Sequence, residues 1–357
     1  MRTLSPLHAV TWSVWAVAAA ASVQLAPSPV YVALVIAIAL VVVSAHRLDH
    51  TMATAFPLLV GLGVTFAVLR VVLTALTTHT GDGSAVDVWF TLPQFTLPRL
   101  LGGFTVGGTV EGVVVMAAAV QAFAVVGIIA AFGAFNAVAS HHELLQATPR
   151  AFHEPGLIVA VALAFVPSTV TAVTAAREAD RARTGGRVVR RGRLLRTSVP
   201  ILESGLERAV ALAESMDSRG FSRHSPGRQD RAAAWLGFGS LLALGAAFVA
   251  LVGRASGWAV IAAATGTVGL VAAMVIASRS TSVTRYRPRR LARLDAVVMV
   301  AVLAAPGVLA GLRAAGHPTL TWWPDPVSFP PFSVWPALAV ALLAAPALVA
   351  PSPREPS

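Results

Sequence analysis

The chain has 357 residues, of which 56% are hydrophobic and 12% charged, and its mean hydropathy is +0.74. A water-soluble protein of this length cannot bury so much apolar surface, so the composition predicts a membrane protein with several spans. The absence of cysteine excludes disulfides, thiolate catalysis and iron–sulfur ligation. The net charge of +11 does not indicate nucleic-acid binding, because thirteen arginines lie between 177 and 231 and six between 279 and 293. This clustering is typical of cytoplasmic segments under the positive-inside rule.

Eight segments approach the roughly 20 apolar residues that a spanning helix needs. They are 8–26, 29–45, 54–77, 110–138, 232–252, 258–277, 295–314 and 334–350. Pro27 and Ser28 separate the first two, which predicts a helical hairpin. The first segment resembles a signal peptide, but it lacks a clear cleavage site and a second span follows soon. We therefore interpret it as a retained helix.

The segment 156–176 is apolar enough for a ninth span, but a highly charged sequence follows it directly. If the segment does not cross completely, three upstream loop arginines lie inside (Arg2, Arg47, Arg150) and one outside (Arg99); if it crosses, the ratio inverts. We favour an interfacial or partly inserted helix with a kink at Pro167.

Two glycine pairs, Gly102-Gly103 and Gly107-Gly108, precede the fourth span. No Gly-Lys-Ser/Thr sequence accompanies them, so they do not indicate a phosphate-binding loop. They predict an outer loop or a re-entrant turn.

Histidines occur in two small clusters, His141-His142 with Glu143, and His46 and His50 beside Asp49. Neither has a recognisable ligand spacing. We predict structural or solvated roles for both clusters, and neither a metal site nor a bound cofactor.

The composition changes sharply from about 176 to 231. We predict that a helix runs from 157 through Ala182 and stops near Gly185-Gly186, because glycine readily adopts the left-handed conformation that ends helices. Residues 187–196 follow as a basic linker that is either solvated or in contact with anionic lipid headgroups.

A second polar helix is predicted after this linker. Thr197 or Ser198 can cap it, Pro200 fits its first turn, and Gly220 is placed to end it. Its apolar residues recur with helical periodicity. They are Leu202, Leu206, Ala209 or Val210, Ala213 and Met216.

Arg183 and Arg219 have parallel settings near the ends of these two helices, each between small neighbours. One interpretation is that each arginine complements its helix dipole, an effect of roughly 0.3–1 kcal/mol. The other is that each guanidinium enters a groove of a partner protein and donates to carboxylates or carbonyls there.

The second helix resembles a motif of the transmembrane (T) component of energy-coupling factor (ECF) transporters, which includes the cobalt-transporter Q-type proteins. That motif typically reads E-R-A-x-x-L-A-x-A-M-E-A-R-G-F. Here the chain has Glu207-Arg208-Ala209 and then Leu212-Ala213-Glu214-Ser215-Met216-Asp217-Ser218-Arg219-Gly220-Phe221. Ser218 replaces the alanine of the family's tripeptide.

The first helix resembles the family's R-E-A-Q-R-A-R-G sequence, here Arg177-Glu178-Ala179-Asp180-Arg181-Ala182-Arg183 followed by Thr184 in place of glycine. The family's F-[IV]-P step is matched by Phe165-Val166-Pro167. The resemblance covers about 135–223. A weaker match follows at Thr284-Arg285-Tyr286-Arg287-Pro288, where Arg289-Arg290 replaces the usual Asp-Pro-Trp.

The resemblance implies a non-catalytic scaffold that joins two ABC-type ATPases to a substrate-binding membrane subunit, the S component. The ATPases hydrolyse ATP, and the S component takes up a vitamin or a metal ion. The two tripeptides, Ala182-Arg183-Thr184 and Ser218-Arg219-Gly220, are implied as the ATPase-coupling residues.

Two other classes are the alternatives. An integral membrane enzyme, such as a lipid or prenyl transferase, needs an Asp-rich metal site or an intramembrane acid–base pair. The clearest ionisable residues within the spans are Arg70, Glu111 and Arg313, all toward span ends. A single-chain secondary transporter needs polar or broken helices at mid-membrane.

The predicted fold is thus an all-α, polytopic membrane bundle with cytoplasmic or interfacial coupling helices. Three regions are expected: N-terminal transmembrane helices (1–138), a cytoplasmic coupling region (139–231) and C-terminal transmembrane helices (232–357). The expected location is the plasma membrane of a bacterium, with lipid as a further partner.

Overall fold

A computed structural model describes residues 7–46, 56–77, 88–96, 105–147, 153–185, 192–220, 227–280, 291–324 and 328–349. Helices dominate these ranges. They are α1 (Ala9–Leu25), α2 (Pro29–His46), α3 (Phe56–Thr77), α4 (Gly112–Val138), α5 (His141–Ala147), α6 (His153–Arg183), α7 (Arg193–Ser218), α8 (Arg228–Val252), α9 (Ser256–Ser280), α10 (Arg293–Ala314) and α11 (Val334–Ala341). A 3₁₀ helix, Leu342–Leu348, continues α11.

Seven helices in the described ranges are long and apolar enough to cross a membrane. They are α2, α3, α4, Gly156–Arg183 of α6, α8, Gly257–Arg279 of α9, and α10. Two shorter apolar helices are α1 and Val334–Leu348. The protein is therefore a multi-pass, all-α membrane protein, as the composition and the eight predicted segments indicated.

The chain forms two compact units. The first contains Met1–Ala147 together with Arg289–Ser357, and the second contains Thr148–Pro288. This division differs from the three consecutive regions of the sequence-based prediction, because α10 and α11 pack with the N-terminal helices rather than with α8 and α9.

The core of the first unit is built from α1, α2, α4, α10 and α11. Large buried side chains such as Trp12, Trp15 and Tyr31 fill it from α1 and α2. The buried face of α4 consists mostly of alanine and glycine, which allow neighbouring helices to approach closely. At Gly127 a Cβ atom would lie 2.8 Å from Cγ1 of Val32, so this position has no room for a side chain.

Polar contacts at both ends align α1 with α10, one buried and one exposed. At the start of both helices, Asp295 accepts hydrogen bonds from the backbone nitrogen of His8 (2.8 Å) and the hydroxyl of Thr11 (3.0 Å). At their other ends, Arg313 donates to the carbonyl oxygens of Gln24 (3.0 Å) and Leu25 (3.2 Å). The two helices therefore run parallel, and each end of α1 receives charge of the sign that complements its dipole.

α2 is aligned with the C-terminal segment in the same way. The hydroxyl of Tyr31, near the start of α2, accepts from the backbone nitrogen of Ser333 just before α11 (3.0 Å). At the far end, Nε2 of His46 lies 2.8 Å from the carbonyl oxygen of Pro346. α2 and the α11 segment thus also run parallel.

Two strands lie between α3 and α4, and this corrects the prediction of an outer loop or re-entrant turn at Gly107-Gly108; Gly102-Gly103 lie outside the described residues. Strand β1 (Val88–Thr96) pairs antiparallel with β2 (Thr105–Glu111), with irregular register at two points. Gly107 and Gly108 have φ values of +91° and +115°, and a Cβ on Gly107 would overlap the carbonyl oxygen of Pro93. The glycines therefore permit a bulged strand pairing rather than a turn.

The second unit contains two helix pairs, α6 with α7 and α8 with α9. The α8–α9 hairpin is closely packed, since a Cβ on Gly266 would lie 2.8 Å from Cγ of Leu244. Its connecting residue Arg254 adopts a left-handed conformation with φ of +59°.

The predicted end of α6 is confirmed, with the helix ending at Arg183 and Gly185 at φ of +56°. Pro167 lies inside this continuous helix. The predicted start of α7 is wrong. The helix begins at Arg193 after the left-handed Gly192 (φ +71°), so Pro200 lies inside it rather than in its first turn.

Candidate functional site

The first candidate tripeptide closes α6. The hydroxyl of Thr184 donates to the carbonyl oxygen of Asp180 (2.9 Å), and its backbone nitrogen donates to the same oxygen (3.0 Å). Gly185 then supplies the left-handed residue that ends the helix. The threonine that departs from the family pattern thus gives the Asp180 carbonyl a second donor, and the left-handed glycine that ends the helix stands one residue later than in the family pattern.

The second candidate tripeptide closes α7. Arg219 is the C-cap residue, with its backbone nitrogen donating to the carbonyl oxygen of Met216 (3.1 Å). Gly220 follows with φ of +78° in open space, so its conformation rather than its small size calls for glycine. The hydroxyl of Ser218 donates to the carbonyl oxygen of Ser215 (2.9 Å).

Both candidate arginines are exposed. Among the residues that the structure describes, neither the Arg183 nor the Arg219 guanidinium has a hydrogen-bond or ion-pair partner. Their small neighbours Ala182, Ser218 and Gly220 are also exposed. Each guanidinium therefore keeps its full set of donors for a partner molecule.

The structure separates these two arginines. α6 and α7 form an antiparallel pair, because Asp180 contacts Arg196 near the connection while Phe165 and Arg208 line one groove farther along. Arg183 lies at the connected end of the pair and Arg219 at the opposite end of α7. The 26 residues of α7 correspond to roughly 39 Å at 1.5 Å per residue.

An ion pair that the sequence analysis did not identify holds the connected end together. Nε of Arg196 donates to Oδ1 of Asp180 at 2.8 Å, and the Asp180 side chain is only 13% exposed. The one sequence signal for it is an aspartate within an arginine-rich segment. The contact gives the start of α7 a fixed position against the end of α6.

Of the predicted apolar stripe of α7, only Ala209 lines the groove against α6. Leu202, Leu206 and Val210 are all exposed. A different face meets α6 across a groove of about 200 Å³. Its lining residues are Phe165, Thr169, Ala172, Ile201, Ser204, Gly205, Arg208 and Ala209.

The ionisable residues within candidate spans have structural partners. Arg70 of α3 donates to Oε1 of Gln121 on α4, and Arg313 binds the carbonyls at the end of α1. Glu111 precedes α4 at its N-cap.

In the described ranges, no group of three or more His, Cys, Asp or Glu side chains is placed to hold a metal ion. The buried ring of His46 contacts Pro346. Asp49, His50 and the side chains of His141-His142 lie outside the description, as do Thr284 through Arg290.

No protein-family model, curated protein or solved structure matches the chain.

Proposed function

We propose that this protein is the membrane scaffold of an ECF-type importer in a bacterial plasma membrane. In this role it is not an enzyme. Arg183 and Arg219 dock into two ABC-type ATPases, and the chain transmits their ATP-driven motion to an S component that carries a vitamin or a metal ion. The observation that carries the proposal is the pair of exposed arginines, without partners among the described residues, one at the end of α6 and one at the end of α7.

The separation of the two arginines favours two partners. Two guanidiniums separated by about the length of α7, roughly 39 Å for its 26 residues, cannot enter a single groove. Each is flanked by small residues that leave room for a surrounding protein surface. Two ATPase subunits, one at each end, fit this arrangement better than one ligand does.

The parallel alignment of α1 and α10 favours a non-spanning α6. Two parallel helices in a bilayer require an even number of crossings between the start of one and the start of the other. α1, α2, α3, α4, α8 and α9 supply six. A single additional crossing by α6 would make α10 antiparallel to α1, which contradicts the contacts of Asp295 and Arg313.

A crossing by α6 followed by a return crossing by α7 would also keep the number of crossings even, but α7 cannot cross the membrane. It carries seven charged residues among its 26, each of which is costly in hydrocarbon. Although α6 is apolar enough to span, we therefore infer that α6 and α7 begin and end on one side. A helix pair that begins and ends on the arginine-rich side of the membrane is what a coupling element for soluble ATPases requires.

The two helices are linked mechanically by the Asp180–Arg196 ion pair at their connection. A displacement of Arg219 by one ATPase moves α7, and this contact passes the movement to the end of α6. The groove that Phe165 and Ala209 help to line lies between the same helices farther along. The two docking points then respond to ATPase closure as one unit.

The test is charge reversal at both docking points. The variant Arg183→Glu/Arg219→Glu is expected to insert normally but to lose ATPase binding and at least about tenfold of coupled ATP hydrolysis. Arg181→Glu/Arg228→Glu is the matched control, because both arginines are exposed and the net charge changes equally. Copurification with two ATPases is measured by affinity purification from native membranes.

Unchanged ATPase binding by the double variant contradicts the coupling assignment. Purification of the wild-type chain from native membranes without ATPases contradicts the importer function itself. Equal losses in the control variant would assign the effect to overall charge rather than to the two helix ends.

A further inference from the structure

We propose that the β1–β2 hairpin is a membrane-surface anchor whose outer strand lies in the headgroup region of the lipid bilayer. The hairpin takes no part in the ATPase coupling proposed above. Its position in the chain, the side chains that β1 exposes and the backbone edge of that strand all favour a lipid contact.

The chain places the hairpin at the membrane boundary. β1 follows α3, and β2 runs without interruption into α4 at Glu111 and Gly112. Both helices are long and apolar enough to cross a membrane, and the α3 residues Leu62 and Phe66 are exposed as lipid-facing side chains are. Because β2 also contacts α3, the hairpin lies at the level where these two helices end.

The outer strand exposes large apolar side chains. All nine residues of β1 are exposed, including Phe95 at 70%, Trp89 at 54% and Phe90 at 53%. None of the nine is charged. An open strand of this kind in water would favour aggregation, whereas a lipid surface buries the same side chains.

The backbone of β1 determines how deep in the lipid bilayer this strand can lie. Within the described ranges β1 belongs to a two-stranded sheet, so the N–H and C=O groups of its outer edge are not paired with another described strand. Such groups are not found in the hydrocarbon core, where no water can bond them. In the headgroup region, water can bond the backbone groups of β1 while the adjoining apolar layer covers its aromatic rings. Aromatic residues are typical of this depth in membrane proteins.

A strand of another protein would fit the exposed edge of β1 less well than lipid does. Pro93 lies in the middle of β1 and has no N–H to donate to an added strand. The register shifts at Val88/Phe90 and Leu92/Phe95 further interrupt a regular edge. Both features are ones that natural proteins use to block edge pairing.

Close contacts hold the hairpin in place. A Cβ on Gly112 would overlap the indole nitrogen of Trp89, so this ring lies directly against the start of α4. At the other strand, Gly107 approaches the carbonyl of Pro93 equally closely. The exposed rings are therefore presented by a defined structure attached to a spanning helix.

Because the chain contains no cysteine, a spin label attached to one introduced cysteine reports the depth of that position in the bilayer. Single variants Phe90→Cys and Phe95→Cys, spin-labelled in lipid nanodiscs, report collision with oxygen and with a water-soluble nickel complex. Phe66→Cys on α3 is the control for hydrocarbon, and Ser215→Cys on the polar face of α7 is the control for water. We expect both hairpin labels within about 10 Å of the phosphate level, between the two controls.

Nickel accessibility equal to that of Ser215→Cys at both hairpin positions would overturn the proposal. Exclusion of both reagents would also overturn it, because it would indicate a protein partner. A second check leaves Phe90 and Phe95 unaltered. Brominated lipid quenches the emission of tryptophans that contact it, so Trp89→Phe is expected to reduce the quenching that brominated nanodiscs cause. An unquenched Trp89 contradicts the lipid assignment.

Discussion

At the residue scale, the carboxylate of Asp295 joins two helix starts that are 287 residues apart in the chain. It is 3% exposed and accepts from His8, Thr11 and the backbone nitrogen of Ala292 (2.9 Å). A buried carboxylate is costly unless its oxygens are satisfied. Here every bond comes from a helix terminus, so one side chain fixes the relative register of α1 and α10.

The variant Asp295→Asn is expected to destabilise the protein by about 1–3 kcal/mol. The asparagine oxygen can keep the bonds from His8 and Thr11, but its amide nitrogen would face the N–H of Ala292 as a second donor. The loss is measured as a lower midpoint of thermal unfolding in detergent, followed by tryptophan fluorescence.

Asp230→Asn is the matched control, because Asp230 accepts from the backbone nitrogen of Gly227 (2.8 Å) at the same position of α8. That cap is exposed, so we expect a loss of only about 0.5–1 kcal/mol. Equal losses of stability for the two variants would show that the burial of Asp295 does not increase the free-energy cost of the substitution.

At the element scale, helix positions were largely predictable because long apolar segments and terminal glycines mark them. The end of α6 near Gly185 and the end of α7 at Gly220 follow from the conformational freedom of glycine. The start of α7 was missed because Pro200 resembles a first-turn proline, whereas the preceding Arg-Leu-Leu-Arg sequence favours helix. The hairpin was missed because β1 does not alternate apolar and polar residues.

The close approach at Gly127 gives an element-scale prediction. Gly127→Ala is expected to destabilise the packing of α4 on α1 and α2 by about 1–3 kcal/mol, because Val32 is stiff and cannot move its methyl group freely. Gly61→Ala on α3 is the control, since nothing lies within 4 Å of its added methyl group. Thermal unfolding in detergent should separate the two variants; a similar midpoint for both would refute tight packing at Gly127.

At the scale of the whole molecule, the helix partners were not predictable. No local pattern shows that α10 lies beside α1, since their contacts depend on long-range packing and on single polar residues such as Asp295 and Arg313. The distribution of loop arginines in the sequence favours a non-spanning 156–176 by a small margin. The parallel alignment of α1 and α10 independently favours a non-spanning 156–176, because it requires an even number of membrane crossings between the starts of these two helices. The roles of Arg183 and Arg219 stay predictions.

Cysteine labelling tests this topology. Gly156→Cys and Thr184→Cys, at the two ends of the apolar part of α6, are expected to react with an impermeant maleimide only after permeabilisation of cells. Ala255→Cys, in the α8–α9 connection, is expected to react from outside. The cysteine-free chain gives no background. Labelling of the two α6 ends from opposite sides would show that α6 crosses and that the parity inference is wrong.

The pairing of α1 with α10 also has a consequence for biosynthesis. At the usual 5–20 residues per second, a ribosome needs roughly 15–60 s to proceed from His8 to Asp295. During that interval α1 is already in the membrane, but the groups that satisfy Thr11 and the carbonyls of Gln24 and Leu25 have not been made. α1 must therefore wait, held by lipid or by the insertion machinery, for α10.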